Sequence, residues 1–388
     1  MRSFFILLTL LISATIFAQS STAEIWYFGD AAGLNFNSGD PVALEDSNME
    51  GFEGCATICN NEGEVLFYTN GKTVWRADHQ VMTNGTSLAG SDNAIQSSLI
   101  VPTPNLDDNL YYLFTVDTEI DGAYQGFSYS IVDMDGFLGW GEVTDEKNIP
   151  LWDNPVYESL TAVDHANGID VWILTQERDT WIYEAYLLTV DGISTVPVQS
   201  DVSIVQPLGF QGCLKASPDG LKVASTYSGS RKAEIMDFDT YTGLLSNPVD
   251  LELVQDNSVL GDWAPYSCEF SPDGFRFYLS HLDYGPIIQY DLTQDDIPAT
   301  RTPIGLDLGT SNNIPYSTLQ LGPNGKIYAA CFGKDFVSVI NDPNELGMAC
   351  NFQDSVVMFE TAECKFGLPQ FVQSSFIENS FPCTQLGF

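Results

Sequence analysis

Side-chain chemistry near neutral pH has few sources in this chain, because it carries three histidines, His79, His165 and His281. No Gly-x-Ser-x-Gly elbow, no His-Glu-x-x-His pair and no phosphate-binding loop occurs, so the sequence marks no catalytic residue. His165 opens the turn His165-Ala166-Asn167-Gly168, where an imidazole orders backbone. His281 ends a strand-like run just before a loop, a place from which a side chain can face a ligand. Cys55 and Cys59 lie four apart in one strand-like run, and no Cys-x-x-Cys pair exists, so no metal site is expected. Asp133-Met134-Asp135-Gly136 opens like a calcium loop, with Glu142 six residues past the glycine, but Ile131 stands where the loop's first aspartate belongs. No cofactor is called for, and calcium is expected at most incidentally on acidic loops.

Recognition has more candidates. Trp181 and Trp263 offer flat apolar faces on which sugar rings stack, against the plainer role of rim packing. Arg231, Lys232 and Lys334 stand out because 14 basic residues face 52 acidic ones, a net charge of −38. Gathered on one face they would bind an anion such as a uronate, a sulfate or a carboxylate terminus. Scattered, they are surface salt bridges. Carboxylate pairs such as Asp107-Asp108 and Asp295-Asp296 fall in turns and read as solvated.

The elements that position these residues come from an internal repeat. Gly212–Ser225, Ser267–Ser280 and Ser317–Ala330 share one pattern: a short apolar run, Ser/Gly-Pro-Asp/Asn-Gly, and a second run rich in β-branched and aromatic residues. Weaker copies run through 56–68 and 160–174, and a degenerate one through 98–114. Proline presets the first corner, Asp or Asn accepts backbone hydrogen bonds, and glycine takes the positive φ. The turn glycines stand at 63, 168, 220, 274 and 325; the last three intervals are 52, 54 and 51, and the first, 105, is two repeats.

Four antiparallel strands per repeat predict an all-β, seven-bladed β-propeller over residues 19–376. Six blades come from the repeats. The seventh combines three strand-like runs in 24–47 with one run in 367–376, a C-terminal strand that closes the ring and removes its open edges. In such a fold the loops between second and third strands share a face with the blade connections. That places Asp30, Asn70, Asp117, Glu177, Trp181 and Arg231 on one face, with Lys232, His281, Asp283, Tyr284 and Lys334. Trp152 and Trp263 join them from blade connections.

Met1-Arg2-Ser3, an apolar run from Phe4 to Phe17, and Ala18 predict a signal peptide over 1–18. Fourteen helical residues reach about 21 Å, short of the roughly 30 Å of a bilayer core. The mature chain is therefore expected outside the cell or on its surface, with no membrane span and as a monomer, and 377–388 form a tail. Its negative charge opposes nucleic-acid binding. Export permits disulfides among the eight cysteines, and Cys350 with Cys364 is the expected pair.

Taken together, Trp26–Asp30, Gly33–Phe36, Gly54–Thr57, Leu66–Gly71, Val74-Trp75, His79–Met82 and Tyr129–Met134 carry a resemblance. It continues through Leu160–Ala162, His165–Gly168, Leu346–Asn351 and Phe366–Phe371. The chain resembles the N-terminal propeller region of large exported proteins of gliding Bacteroidetes, which often end in a type IX secretion sorting module of type B. The resemblance implies the fold and export. It implies no defined activity, and the sorting module is not among these residues. The functional expectation is a non-enzymatic recognition or scaffold propeller for a glycan or protein. The alternatives are a secreted polysaccharide-active or lactonase-like enzyme and a structural module of a larger adhesin.

Overall fold

A computed structural model describes residues 21–104, 109–121, 126–152, 154–178, 180–205, 208–251, 264–281, 285–304 and 314–376. The expected signal peptide and tail, with Trp263, Asp283 and Tyr284, lie outside the described residues.

Among the described residues the chain is all-β, built from successive antiparallel meanders. The first has three strands, β1 (Ile25–Phe28), β2 (Ala32–Asn35) and β3 (Val42–Leu44). The second has β4 (Cys55–Cys59), β5 (Val65–Thr69), β6 (Thr73–Arg76) and β7 (Val81–Thr86). In the third, β8 (Ser98–Pro102), β9 (Leu110–Val116) and β10 (Phe127–Asp133) precede β11 (Glu142–Val143) and β12 (Ile149–Trp152), which share the edge of β10. A parallel contact of Glu142 with Thr83 joins these two meanders into one ten-stranded sheet that also includes a C-terminal strand.

The fourth holds β13 (Thr161–Asp164), β14 (Val171–Gln176) and β15 (Ile182–Thr189), with β16 (Gly192–Ile193) and β17 (Val198–Asp201) both on β15. The fifth is β18 (Leu214–Ala216), β19 (Lys222–Tyr227), β20 (Lys232–Asp239) and β21 (Leu244–Asp250). The sixth is β22 (Pro265–Phe270), β23 (Arg276–His281), β24 (Ile287–Asp291) and β25 (Thr302–Ile304). The seventh is β26 (Tyr316–Leu321), β27 (Ile327–Cys331), β28 (Phe336–Ile340) and β29 (Phe352–Met358), before a last short strand, β30 (Pro369–Gln370).

The repeat turns fold as their residues require. Gly63, Gly168, Gly220, Gly274 and Gly325 all have φ between 70° and 76°. In two copies the serine hydroxyl donates to the turn aspartate at 2.6 Å, Ser217 to Asp219 and Ser271 to Asp273. First strands β4, β22 and β26 are buried end to end, whereas last strands β21 and β29 are largely exposed. The first strands therefore face a common centre, and neighbouring ones bond side by side: Leu319 N–H donates to Ser267 Oγ at 3.2 Å and Ala216 N–H to Thr161 Oγ1 at 3.3 Å. At that centre Lys215 of β18 reaches Glu269 of β22 at 3.2 Å and Gln320 of β26 at 2.9 Å. This arrangement is propeller-like.

The C-terminal strand departs from expectation. β30 hydrogen-bonds in parallel to β4, pairing Pro369 with Cys55 and Gln370 with Ala56, and not to β1–β3. Its Pro369 lacks an N–H donor, and the end of β1 is already engaged upstream, where Asp30 N–H donates to Glu363 O at 3.0 Å. Phe371 still packs on Trp26 of β1, with ring centroids 5.7 Å apart. The chain ends are stitched instead by Glu45, whose carboxylate accepts from the N–H groups of Glu360, Thr361 and Ala362 at 2.7, 2.6 and 2.9 Å.

The expected Cys350–Cys364 bridge is absent; the seven described cysteines are free and buried. Cys364 bonds the Phe336 carbonyl at the start of β28, and the Cys350 carbonyl bonds Asp342 beyond its end. A five-residue strand separates them, about 13 Å. Among the described residues no helix is long and apolar enough to cross a membrane.

Candidate functional site

The predicted face residues have mixed fates. Asn70 serves its own loop: Nδ2 donates to Glu50 O at 3.0 Å, and Oδ1 accepts from the N–H groups of Lys72 and Thr73 at 3.1 and 3.0 Å. Asp30 pairs with Lys365 at 2.9 Å and Lys232 with Asp250 at 2.6 Å. His281 is 1% exposed, and its Nδ1 lies 2.9 Å from Pro286 O. Burial pulls its pKa down to about 4, so the ring is neutral at pH 7. Asp117 is buried and accepts from Thr118 N–H at 2.7 Å. Burial and neighbouring Glu184 push the Glu177 carboxyl up. Trp181 is 46% exposed, and Trp152 ends β12 half-buried. Arg231 lies in the β19–β20 connection, Lys232 opens β20 and Lys334 lies in the β27–β28 connection, so the three cations stand on two different meanders.

A different set of residues converges. Glu53 and Glu158 each stand ten residues ahead of a turn glycine, Gly63 and Gly168, where the chain approaches first strands β4 and β13. The repeat therefore aims both at the same end of the common centre. Glu158 is buried; its Oε2 accepts from Ile95 N–H at 3.1 Å and its Oε1 from the Thr118 hydroxyl. Glu53 is 6% exposed. Tyr266, on β22, directs its hydroxyl toward Glu53 and Glu158. Glu53 and Tyr266 meet in a loose contact that shifts the titration of both, short of ordinary hydrogen-bond geometry for Glu53 Oε2 and Tyr266 Oη. Burial first, and then the negative charge of Glu158, push the Glu53 pKa up to about 9, with Tyr266 opposing. At neutral pH Glu53 is thus a carboxylic acid, able to donate as well as accept a hydrogen bond.

Aromatic rings lie above this pair. Phe366 stacks on Phe332 with centroids 4.0 Å apart and planes 15° apart, and meets Tyr266 at 5.6 Å. Phe52 closes edge-on to both, at 5.4 Å from Phe366 and 5.9 Å from Phe332, and remains 42% exposed. Phe366 is held there by its N–H bond to Phe52 O at 2.9 Å. Gly367 makes the approach possible, because a Cβ there would lie 1.6 Å from Glu53 O. Lys365 borders the rings, tied to Asp30 and Glu363 at 2.9 and 2.7 Å. Among the described residues no group of three or more His, Cys, Asp or Glu is placed to hold a metal ion.

Sequence reasoning passed over Phe52, Glu53, Glu158, Tyr266, Phe332 and Phe366. One signal was present: Phe52-Glu53-Gly54 and Tyr157-Glu158-Ser159 repeat an aromatic, glutamate, small-residue triplet at one offset from the turn. In a chain with 52 acidic residues, two more carboxylates do not draw notice until the turns align them.

The chain as a whole superposes on crystal structures of two candidate 6-phosphogluconolactonases. For the Bacteroides uniformis protein the TM-score is 0.51 at 12% identity, covering 88% of this chain and 98% of that one. For the Bacteroides fragilis protein it is 0.52 at 14% identity, covering 89% and 96%. They share its fold. At these identities the likeness carries architecture and no activity. No protein-family model matches the chain, and no curated protein matches it.

Proposed function

We propose that this chain is an exported seven-bladed propeller that recognises a glycan or protein ligand on the face bearing Phe52, Phe332 and Phe366. The blade count follows from counting the meanders at β1, β4, β8, β13, β18, β22 and β26, with β30 held in parallel against β4 and Phe371 after it packed on Trp26 of β1. The N-terminal apolar run and the resemblance to exported Bacteroidetes proteins support export to the surface or medium.

The observation that carries the reading is the aromatic cluster of exposed Phe52 with half-buried Phe332 and Phe366 beside two buried polar groups, Glu53 Oε2 and Tyr266 Oη, that close no hydrogen bond of ordinary geometry. Buried polar atoms are ordinarily satisfied, and a ligand would satisfy these. The test is a glycan and peptide array on the mature protein, with Phe332→Ala alongside. Binding that falls at least tenfold in the variant supports the reading, and equal binding by both proteins moves recognition elsewhere.

The same site favours one rival, a secreted hydrolase, because it brings two carboxyl groups, a protonated Glu53 and Glu158, close together. Turnover of a lactone or oligosaccharide that disappears in Glu53→Gln and Glu158→Gln would decide for it.

A further inference from the structure

We infer that Cys213 and Cys268 are a modification site: when the chain folds in an oxidising compartment, the two thiols close a disulfide that ties the fifth meander to the sixth. The export reading above supplies the compartment. The bond itself is a property of the fold and is independent of any ligand.

Cys213 stands immediately before β18 and Cys268 lies within β22, the first strands of neighbouring meanders. The Cys268 S–H donates toward the Cys213 sulfur across 3.9 Å, a separation at which non-bonded atoms touch. Other described thiols turn to oxygen instead. Cys331 meets the Ser338 hydroxyl at 3.3 Å, and Cys364 donates to the Phe336 carbonyl at 3.1 Å.

The two backbones are pinned beside the sulfurs. Cys213 N–H donates to the Thr226 hydroxyl at 2.8 Å, and that hydroxyl donates to Tyr266 O at 3.2 Å. The Ser228 hydroxyl donates to Pro265 O at 2.6 Å, and Ser267 Oγ lies 3.8 Å from the Cys213 sulfur. Side-chain bonds thus already hold the two segments together. An S–S bond is about 2.0 Å long, so each sulfur has to advance by about 1 Å to form it.

Burial sets when the bond forms. Cys213 is 2% exposed and Cys268 0%, in a cluster with Ala224, Ile235 and Leu279. An oxidant reaches the pair while the meanders are still packing, and the finished core then shields the bond from reductants. The oxidant is a disulfide, either glutathione disulfide or that of an oxidoreductase. One cysteine thiolate attacks it and displaces a thiolate; the other attacks the mixed disulfide and displaces the second. Two S–H bonds and the oxidant's S–S bond break, and the Cys213–Cys268 bond forms. The two electrons and two protons leave on the oxidant as a pair of thiols. The cysteines are fifty-five residues apart in sequence, so the bond also restricts a long loop of the unfolded chain and stabilises the fold.

Trypsin provides the test, because Cys213 and Cys268 are each the single cysteine in the peptides 179–215 and 233–276. The mature chain is folded in a mixture of oxidised and reduced glutathione, alkylated with iodoacetamide in denaturant, and digested. We expect the two peptides as one species, lighter by two hydrogens than their sum, that separates on reduction. Dithiothreitol should leave the bond intact in the native protein and cleave it in denaturant. Reduction should also lower the urea midpoint of the wild type, a loss that the double variant Cys213→Ser, Cys268→Ser does not share. Recovery of both peptides alkylated, or of either one joined to a different cysteine, overturns the inference. Glutathione supplies the oxidant in this experiment, so failure of the bond counts against this pair and not against export, and a blank array counts against recognition alone.

Discussion

Glu53→Gln keeps the shape of a buried side chain while deleting its proton equilibrium, so it isolates what that equilibrium does to stability. The ordinary carboxyl value is 4.5 and the folded value is about 9. The sign follows from linkage. Below pH 4.5 both folded and unfolded chains hold the proton, and the contribution is complete. Between 4.5 and 9 the unfolded chain ionises and the folded one does not, so stability falls by about 1.4 kcal/mol per pH unit. Above 9 both are ionised and the loss levels off. At pH 7 the interval is 2.5 units, which puts the accumulated loss on the order of 3 kcal/mol. Glutamine escapes it. The melting temperature of the variant should therefore match the wild type near pH 4 and exceed it by several degrees at pH 8. Differential scanning calorimetry at half-unit pH steps measures the difference directly, and other titrating groups cancel between the two proteins. A variant whose melting temperature declines from pH 5 to 8.5 as steeply as the wild type would refute the assignment of Glu53 as a buried neutral acid.

Three further outcomes are expected. Glu45→Ala removes the acceptor shared by three N–H groups of 360–362, at a cost of about 1 kcal/mol at pH 7, in the range of a lost capping residue; those hydrogen bonds hold the Glu45 pKa down to about 2. That contribution is present above pH 4.5 and lost as pH falls toward 2, so the gap between variant and wild type should close in acid melts. Lys215→Met leaves Glu269 buried without its cation and should cost about 3–5 kcal/mol in denaturant unfolding; adding Glu269→Gln should recover part of it. Depression of the His281 pKa to about 4 means its share of stability is present above pH 6.5 and lost as pH falls toward 4. His281→Asn should flatten that part of the acid limb, and the wild-type ring should show no NMR titration between pH 8 and 5.

The fold and the site differ in how far the sequence alone reveals them. Turns such as Ser217-Pro218-Asp219-Gly220 are decided by adjacent residues, because proline, aspartate and glycine each restrict or satisfy the backbone within four positions. Their spacing of 51 to 54 residues then implies meanders of four strands, and the described chain contains them. The same local logic explains why Asn70 could be placed at a loop but not given a role. Its oxygen and nitrogen are engaged by backbone within its own turn and by Glu50.

What only the tertiary structure decided involves groups far apart in the chain. β30 bonds to β4 because Asp30 is already paired with Glu363 and because Gly367 can lie against Glu53. Cys350 and Cys364 are fourteen residues apart in sequence, yet stand at opposite ends of β28. His281, a loop-edge residue by sequence, is wholly buried. Glu53, Glu158 and Tyr266 come from the second, fourth and sixth meanders, and their shared environment exists only once those meanders pack around one centre. A sequence states which residues can ionise or stack. Burial and the charges of distant neighbours set whether they do, and both arise from packing.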